Sequence, residues 1–82
     1  MTEKDVFRAV RPLLFEMCAD FFPRYEDREL TREDLFNFTR DFAAQSWEQV
    51  DEVRQFYGDR EKYESLLLTR AEKGAQKIIE GR

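Results

Sequence analysis

The sequence LTREDLFNFTRDF, residues 30–42, decides the fold class, because it has the features of a helix with a defined start. Thr31 is a favourable N-cap, and Asp34 stands where a capping box needs its acidic partner. At about 100° per residue, Leu35, Phe38, Thr39 and Phe42 share one face. Phe36 lies roughly a quarter-turn away. The segment therefore predicts an amphipathic helix from about residue 32 to 45, with one ring more than its core face requires.

Caps and apolar spacing also predict a long helix before this segment. It starts after Thr2, with Asp5 as its capping partner, and runs to about Phe22. Pro12 lies inside it and either kinks the helix or marks its true start; the unbroken apolar spacing favours the kink. Pro23 ends the helix. The residues expected on its buried side are Val6, Phe7, Val10, Leu13, Leu14, Met17, Cys18 and Phe21.

A short helix and a second long one are predicted after the opening segment. Ser46 is the expected N-cap of helix 3, with Gln49 closing its capping box. Gly58 fits the left-handed position that ends this helix. Asp59 then caps helix 4, which runs to about Glu80. Since no segment alternates with period two for long enough to form a strand, the sequence predicts an all-α, compact bundle of about four helices.

The chain is expected to form one helical domain, residues 1–82, because its length matches the usual size of a single domain. Its last four residues, IEGR, are the recognition sequence of a blood-clotting protease that is used to remove fusion tags. Residues 78–82 therefore end either in a tag-cleavage remnant or in the native apolar end of helix 4.

Charge and hydropathy indicate which partners to expect. The chain has 14 basic and 18 acidic residues and a net charge of −4, whereas nucleic-acid-binding proteins usually carry a basic patch. No apolar run approaches the roughly 18 residues of a membrane-spanning helix, and the N-terminus lacks the basic-then-apolar order of a secretory signal. We expect no nucleic-acid or membrane partner and a cytoplasmic location.

The residues that most enzymes use are scarce. The chain has no histidine, one cysteine and three glycines, none of them in a phosphate-binding loop. Carboxylate pairs such as Glu33 with Asp34 are better explained by the first turn of a helix, where acidic residues complement the helix dipole. Cys18 is expected to be a small buried apolar residue. The sequence therefore predicts a protein that is not an enzyme and that uses no cofactor or metal.

Several large apolar residues fall outside the stripes that a four-helix core would use. They are Phe15, Phe22, Phe36, Trp47, Phe56, Leu66 and Leu68. One interpretation is that a small domain wraps its helices irregularly and covers most of them. The other is an apolar patch larger than monomers usually expose, which marks a protein-binding surface. These seven residues are the candidate protein-binding site.

The order of these helices resembles the C-terminal, substrate-binding domain of trigger factor and the helical domain of related peptidyl-prolyl isomerase chaperones. The segments that carry the resemblance are FRAVRPLLFEMCADFF, ELTREDLFNFTRDFAAQ, EQVDEVRQFYGD and EKYESLLLTRAEKGAQKIIE. The resemblance implies a helical cradle that holds unfolded polypeptide without ATP. The ribosome-docking loop and the isomerase domain of that family have no counterpart here, so neither activity is carried over.

Two functions are therefore expected from the sequence. The first is a chaperone-like, ATP-independent module that shields exposed hydrophobic segments of an unfolded or partner polypeptide. The second is an interaction domain without general chaperone activity, in which the same residues form a homodimer or dock one dedicated partner.

Overall fold

A computed structural model describes residues 1–77, which form four α-helices and one short 3₁₀-helix. In chain order these are α1, Glu3–Phe21; the 3₁₀-helix, Phe22–Tyr25; α2, Arg32–Gln49; α3, Asp51–Tyr57; and α4, Arg60–Ala75. A π-helical turn follows at residues 76 and 77, and residues 1–77 contain no strand. The predicted all-α bundle of about four helices is thereby confirmed. The predicted extension of helix 4 to Glu80 and the IEGR sequence lie outside the described residues.

The predicted caps of α1 and α2 are confirmed as complete capping boxes. In α2, the carboxylate of Asp34 accepts from the backbone N–H of Thr31 at 3.0 Å, and the Thr31 hydroxyl accepts from the backbone N–H of Asp34 at 3.2 Å. The side chain of Asp59 caps α4, as expected. Gly58 ends α3 at φ 71°, a left-handed conformation that costs glycine little.

Helix α1 is continuous through Pro12, so the alternative in which the helix begins at this proline is wrong. The proline has no backbone N–H and cannot donate to the carbonyl of Arg8, one turn earlier. Its ring is exposed on the outer side of the helix. A bend at Pro12 stays a prediction. The helix ends at Phe21, one residue before the expected position, and Pro23 lies in the 3₁₀-helix that follows.

The predicted boundary between helices 2 and 3 is wrong, because Ser46 lies inside α2 and is fully buried. Its hydroxyl donates to the backbone carbonyl of Phe42 at 2.6 Å and lies 2.7 Å from the Tyr63 hydroxyl. A carbonyl only accepts, so the serine proton goes to Phe42 and the tyrosine is the donor to Ser46. The serine is satisfied within the helix, which continues to Gln49 instead of ending at residue 45.

A single residue, Val50, separates α2 from α3, and no side chain caps the start of α3. The guanidinium of Arg54, in α3, stabilises the junction between α2 and α3. It donates to the backbone carbonyl of Glu48 at 2.8 Å and also to that of Trp47, and it pairs with the carboxylate of Asp51. These bonds satisfy carbonyls that the end of α2 leaves without helical partners. Together they fix the angle at which the chain turns.

The core lies where α2 and α4 run antiparallel, with α1 packed against α2 and α3. Its buried residues are Val6, Val10, Phe42, Ala43, Val50, Val53 and Tyr63. The molecule measures 39 × 22 × 19 Å, and its radius of gyration of 13.3 Å exceeds the roughly 12 Å typical of a globular chain of this length. An elongated bundle has a thin core, so part of its aromatic content stays at the surface.

Candidate functional site

The structure divides the seven predicted binding residues into exposed and half-buried groups. Phe15 is 64% exposed, Phe22 48% and Phe56 38%. Phe36, Trp47, Leu66 and Leu68 are half-buried. Of the five aromatic residues in the predicted site, three are therefore exposed and two are half-buried.

Phe15 and Phe22 lie on one side of α1, and Phe22 contacts an aromatic cluster behind it. They are seven positions apart, which is about two helical turns, and Phe22 keeps helical backbone angles beyond the end of α1. The ring of Phe22 meets that of Phe21 edge-on, with centroids 5.3 Å apart. Phe21 in turn lies 4.6 Å from Phe38 of α2. We call Phe15 and Phe22 the α1 ring pair.

Phe36 and Leu68 come together between α2 and α4, where they line a small cleft of about 200 Å³ with Arg40 and Glu72. The extra ring of the opening segment thus faces α4 and is partly covered by it. The cleft is small, and the rings of the α1 pair are not among the residues that line it.

Trp47 packs against the core, with its ring 6.1 Å from that of Tyr63. The sequence predicts Trp47 in helix 3, outside its apolar stripe. In the structure, Trp47 belongs to the last turn of α2. Phe56 lies on α3, where its ring contacts that of the neighbouring Tyr57 edge-on, with centroids 4.9 Å apart. Trp47 and Phe56 therefore do not join the α1 ring pair.

One exposed ring was missed. Phe7 was expected on the buried side of α1, but it is 40% exposed, and the guanidinium of Arg70 lies 5.0 Å above its ring. Arg70 also pairs with Glu3, so it ties the first turn of α1 to α4. The reason for the error is that a cation from a distant helix covers the ring in place of apolar side chains. Sequence spacing carries no signal for such a contact.

A groove of about 630 Å³ runs between α1 and α2 and is closed at one end by the 3₁₀-helix. Its apolar lining consists of Leu13, Met17, Phe21, Tyr25 and Phe38. Its polar lining consists of Glu16, Asp20, Arg24, Asp34, Asn37, Asp41, Gln45 and Gln49. We call this feature the acidic groove. The polar lining residues of α1 and of α2 each recur at spacings of three or four positions, which can be read from the sequence. The sequence does not show that these two helices face each other.

The residues that line the acidic groove carry a net negative charge. Among its lining residues in the described chain, Arg24 is the one cation, and it already pairs with Asp20 at 2.7 Å. Within residues 1–77, neither Glu16 nor Asp41 pairs with a lysine or arginine, although Asp41 accepts from the amide of Gln45 at 3.2 Å. Glu16 and Asp41 are therefore the two carboxylates of the groove whose charge this part of the chain does not neutralise, one on α1 and one on α2.

The carboxyl of Asp34, at the end of the groove, remains charged at neutral pH. Hydrogen bonds from the backbone and the hydroxyl of Thr31 lower its pKa below the ordinary value of 3.8. Asp5, in the equivalent position of α1, has its pKa lowered in the same way by Thr2. Both caps favour the ionised carboxylate, so they contribute stability when that form is present.

We expect this contribution to be lost in acid. Because the folded-state pKa values of Asp5 and Asp34 are depressed, their stabilisation is complete above about pH 4 and disappears as the pH falls through the folded values. Urea unfolding between pH 5 and pH 2 should show the free energy of unfolding falling less steeply in an Asp5→Asn, Asp34→Asn variant than in the parent. Equal slopes would contradict the assignment. An Asp27→Asn variant, in the exposed connection, serves as the control.

Cys18 is half-buried, and this burial raises the pKa of its thiol. A raised thiol pKa reduces the thiolate fraction at neutral pH, which agrees with the predicted role as a small apolar residue. Within residues 1–77, no helix is both long enough and apolar enough to cross a membrane.

Comparisons with known proteins give no further assignment: no family model, no curated protein and no solved structure matches this chain.

Proposed function

We propose that this protein binds exposed apolar segments of other polypeptides without ATP, as a chaperone-like module of the cytoplasm. The observation that carries the proposal is the α1 ring pair, in which Phe15 and Phe22 are 64% and 48% exposed on the same side of one helix. The resemblance to the substrate-binding domain of trigger factor implies an activity of the same kind.

Two aromatic rings at one surface are suited to such binding. Burying apolar area against a client releases about 25 cal/mol per Å², and aromatic residues are enriched in protein interfaces. Arg11, one turn before Phe15 on the same side of α1, is charged and exposed. Its guanidinium helps to keep a loaded complex hydrated. Because the contacts are few, each binding event is expected to be weak and reversible.

The test is a refolding assay with an aggregation-prone enzyme. The protein at stoichiometric amounts should reduce light scattering, and a Phe15→Ser, Phe22→Ser variant should lose at least about half of that effect. Surface substitutions of this kind change stability little, usually within about 0.5 kcal/mol each, so the variant should remain folded. Phe56→Ser is the matched control, since it removes an exposed ring elsewhere. Unchanged scattering with the parent protein, or full activity of the double variant, would refute the proposal.

A homodimer is the second candidate, and the spacing of the α1 ring pair favours it. Side chains seven positions apart repeat on the same side of a helix, so two copies of α1 can meet along these rings in a symmetric contact. Sedimentation equilibrium over a range of concentrations distinguishes the two functions. A tight dimer that dissociates in the Phe15→Ser, Phe22→Ser variant would support self-association in place of client binding.

A further inference from the structure

We propose that the acidic groove binds a cationic amphipathic helix of a partner polypeptide. The inference rests on the polypeptide-binding function proposed for this protein and names the chemistry of the partner. The partner has leucine-like side chains on one face and lysine or arginine on the flanks of that face. Both requirements come from the lining of the groove.

The apolar requirement comes from the floor of the groove. Leu13, Met17 and Phe21 of α1 line it together with Phe38 of α2, and all but the buried Phe21 are half-buried. Leu13 and Met17 also pack against the core. Met17 can adapt its shape to different side chains, because its unbranched thioether rotates freely. The volume of about 630 Å³ is that of a ligand-sized cleft. It suits the side chains that a docked helix presents from one face.

The helical form of the partner follows from the length and spacing of the α2 wall. The wall begins at Asp34 and ends at Gln49, fifteen positions further on, which is about 22 Å of helix. The lining residues between them recur every three or four positions, so they form one straight edge. A partner helix of about four turns laid along this edge would keep its apolar face on the floor throughout.

The cationic requirement comes from charge complementarity. Glu16 and Asp20 stand on the α1 side of the groove, and Asp34 and Asp41 stand on the α2 side. Arg24 is paired with Asp20. Asp34 accepts the hydrogen bonds of its capping box and is also attracted by the charge of Arg28. This leaves Glu16 and Asp41 as the two carboxylates available to a partner. Lysine or arginine on either flank of a docked helix would therefore meet a carboxylate, whereas an acidic flank would be repelled.

A metal ion is a poorer match for these carboxylates than a polypeptide. Among residues 1–77, no three histidine, cysteine, aspartate or glutamate side chains come close enough to hold an ion. The acidic groups are spread along the groove rather than gathered at one point. Spread charges are suited to a partner whose own charges repeat along a helix.

The α1 ring pair lies on a different side of α1 from the groove, because neither of its rings is among the lining residues. Phe22 contacts Phe21 edge-on, and Phe21 belongs to the floor. The groove and the ring pair are therefore two surfaces of α1, and the contact between Phe21 and Phe22 joins them. The rings alone would bind apolar segments whatever their charge. The groove adds a preference for positively charged segments.

The experiment uses two fluorescein-labelled peptides of equal length and equal leucine content. Both place leucine at positions i, i+3, i+4 and i+7 and their repeats, and they differ only in carrying lysine or glutamate on the flanks. Fluorescence anisotropy with the full chain should show the lysine peptide binding at least about tenfold more tightly than the glutamate peptide. Its affinity should fall as the salt concentration rises from about 0.05 M to about 0.5 M, because salt screens the exposed charges.

Charge reversal in the protein locates the site. A Glu16→Lys, Asp41→Lys variant should bind the lysine peptide at least about tenfold more weakly and should gain affinity for the glutamate peptide. A Glu52→Lys, Glu61→Lys variant makes the same change in net charge at exposed positions outside the groove, and it should bind like the parent apart from a small general effect. Circular dichroism confirms that both variants are folded. Both variants are needed because reversal of any two charges alters long-range attraction.

The possible outcomes separate this inference from the function on which it rests. Equal binding of the two peptides, lost in the Phe15→Ser, Phe22→Ser variant, would overturn the cationic partner and leave polypeptide binding supported. Equal loss of affinity in both charge variants would overturn the groove as the site. Failure of both peptides to bind, together with inactivity in the refolding assay, would overturn both. The inference would be supported most directly if the Glu16→Lys, Asp41→Lys variant gained affinity for the glutamate peptide and the other charge variant did not.

Discussion

Replacing Tyr63 with alanine should lower the free energy of unfolding by about 3–5 kcal/mol, the range found when large aromatic residues are removed from a core. Tyr63 is 3% exposed and lies between the rings of Trp47 and Tyr57, at centroid distances of 6.1 and 5.0 Å. Alanine would leave a cavity that the α2–α4 pair cannot close without shifting. A domain of this size has roughly 4–12 kcal/mol of stability in total, so the substitution should remove at least about a quarter of it.

Urea and thermal unfolding, followed by circular dichroism, measure this effect, and two further variants show which part of it comes from the hydroxyl. Tyr63→Phe removes the donor but leaves Ser46 bonded to the Phe42 carbonyl, so it should cost about 1 kcal/mol or less. Ser46→Ala leaves the tyrosine hydroxyl buried without an acceptor and should cost about 1–3 kcal/mol. If Tyr63→Phe proves as costly as Ser46→Ala, the assignment of the tyrosine as donor is wrong.

Replacing Pro12 with alanine should act in the opposite direction and stabilise the protein by about 2 kcal/mol. Proline in a helix interior costs about 3 kcal/mol relative to alanine, and about 0.4–1 kcal/mol of this is offset by its restriction of the unfolded chain. Pro12 is exposed inside the continuous helix α1, so alanine restores the bond to the Arg8 carbonyl without removing buried contacts. The melting temperature should rise by about 10 °C.

Pro23→Ala provides the matched control for this measurement. Pro23 stands in the first turn of the 3₁₀-helix, where its missing N–H has no helical acceptor and its fixed φ is suitable. Its replacement should be neutral or slightly destabilising, by less than about 1 kcal/mol. A loss of stability in Pro12→Ala would show that α1 needs a bend at this position in order to pack, which would establish the predicted kink in place of the predicted gain.

The local features of this fold could be predicted from sequence because their partners are close along the chain. Thr31 and Asp34 form a capping box within three residues, and Gly58 adopts its positive φ as a property of its own backbone. The same holds for the first cap, where Thr2 and Asp5 are equally close. Such interactions are decided by residue type and spacing, so the starts of three helices and the end of α3 were placed correctly.

The errors fall where a partner is distant along the chain. Ser46 has the residue type of a cap, but the Tyr63 hydroxyl, seventeen residues away, holds it in the core. Phe7 has the spacing of a buried residue, but Arg70 covers it from another helix. Both outcomes depend on how α1, α2 and α4 are placed relative to each other. The relative placement of the helices cannot be read directly from a single sequence.

The candidate site was predictable to a similar extent. An excess of rings over core positions pointed to five rings outside the core, because composition and helical spacing limit how many rings a thin core can cover. Phe15, Phe22 and Phe56 are exposed, whereas Phe36 and Trp47 are half-buried. The acidic groove was not predicted. Of its carboxylates, the sequence singles out only Asp34, as part of the first turn of a helix. Their arrangement around one groove becomes visible only when α1 and α2 are seen side by side.

The connections of the described chain differ greatly in length: one residue joins α2 to α3, two join α3 to α4, and residues 26–31 join the 3₁₀-helix to α2. The last of these is exposed or half-buried throughout. Opening the backbone there would divide the protein into an N-terminal peptide that carries α1 and a three-helix body held by the antiparallel α2–α4 pair. That division makes the molecule a natural candidate for a split reporter, whose signal returns when the peptide reassociates with the body.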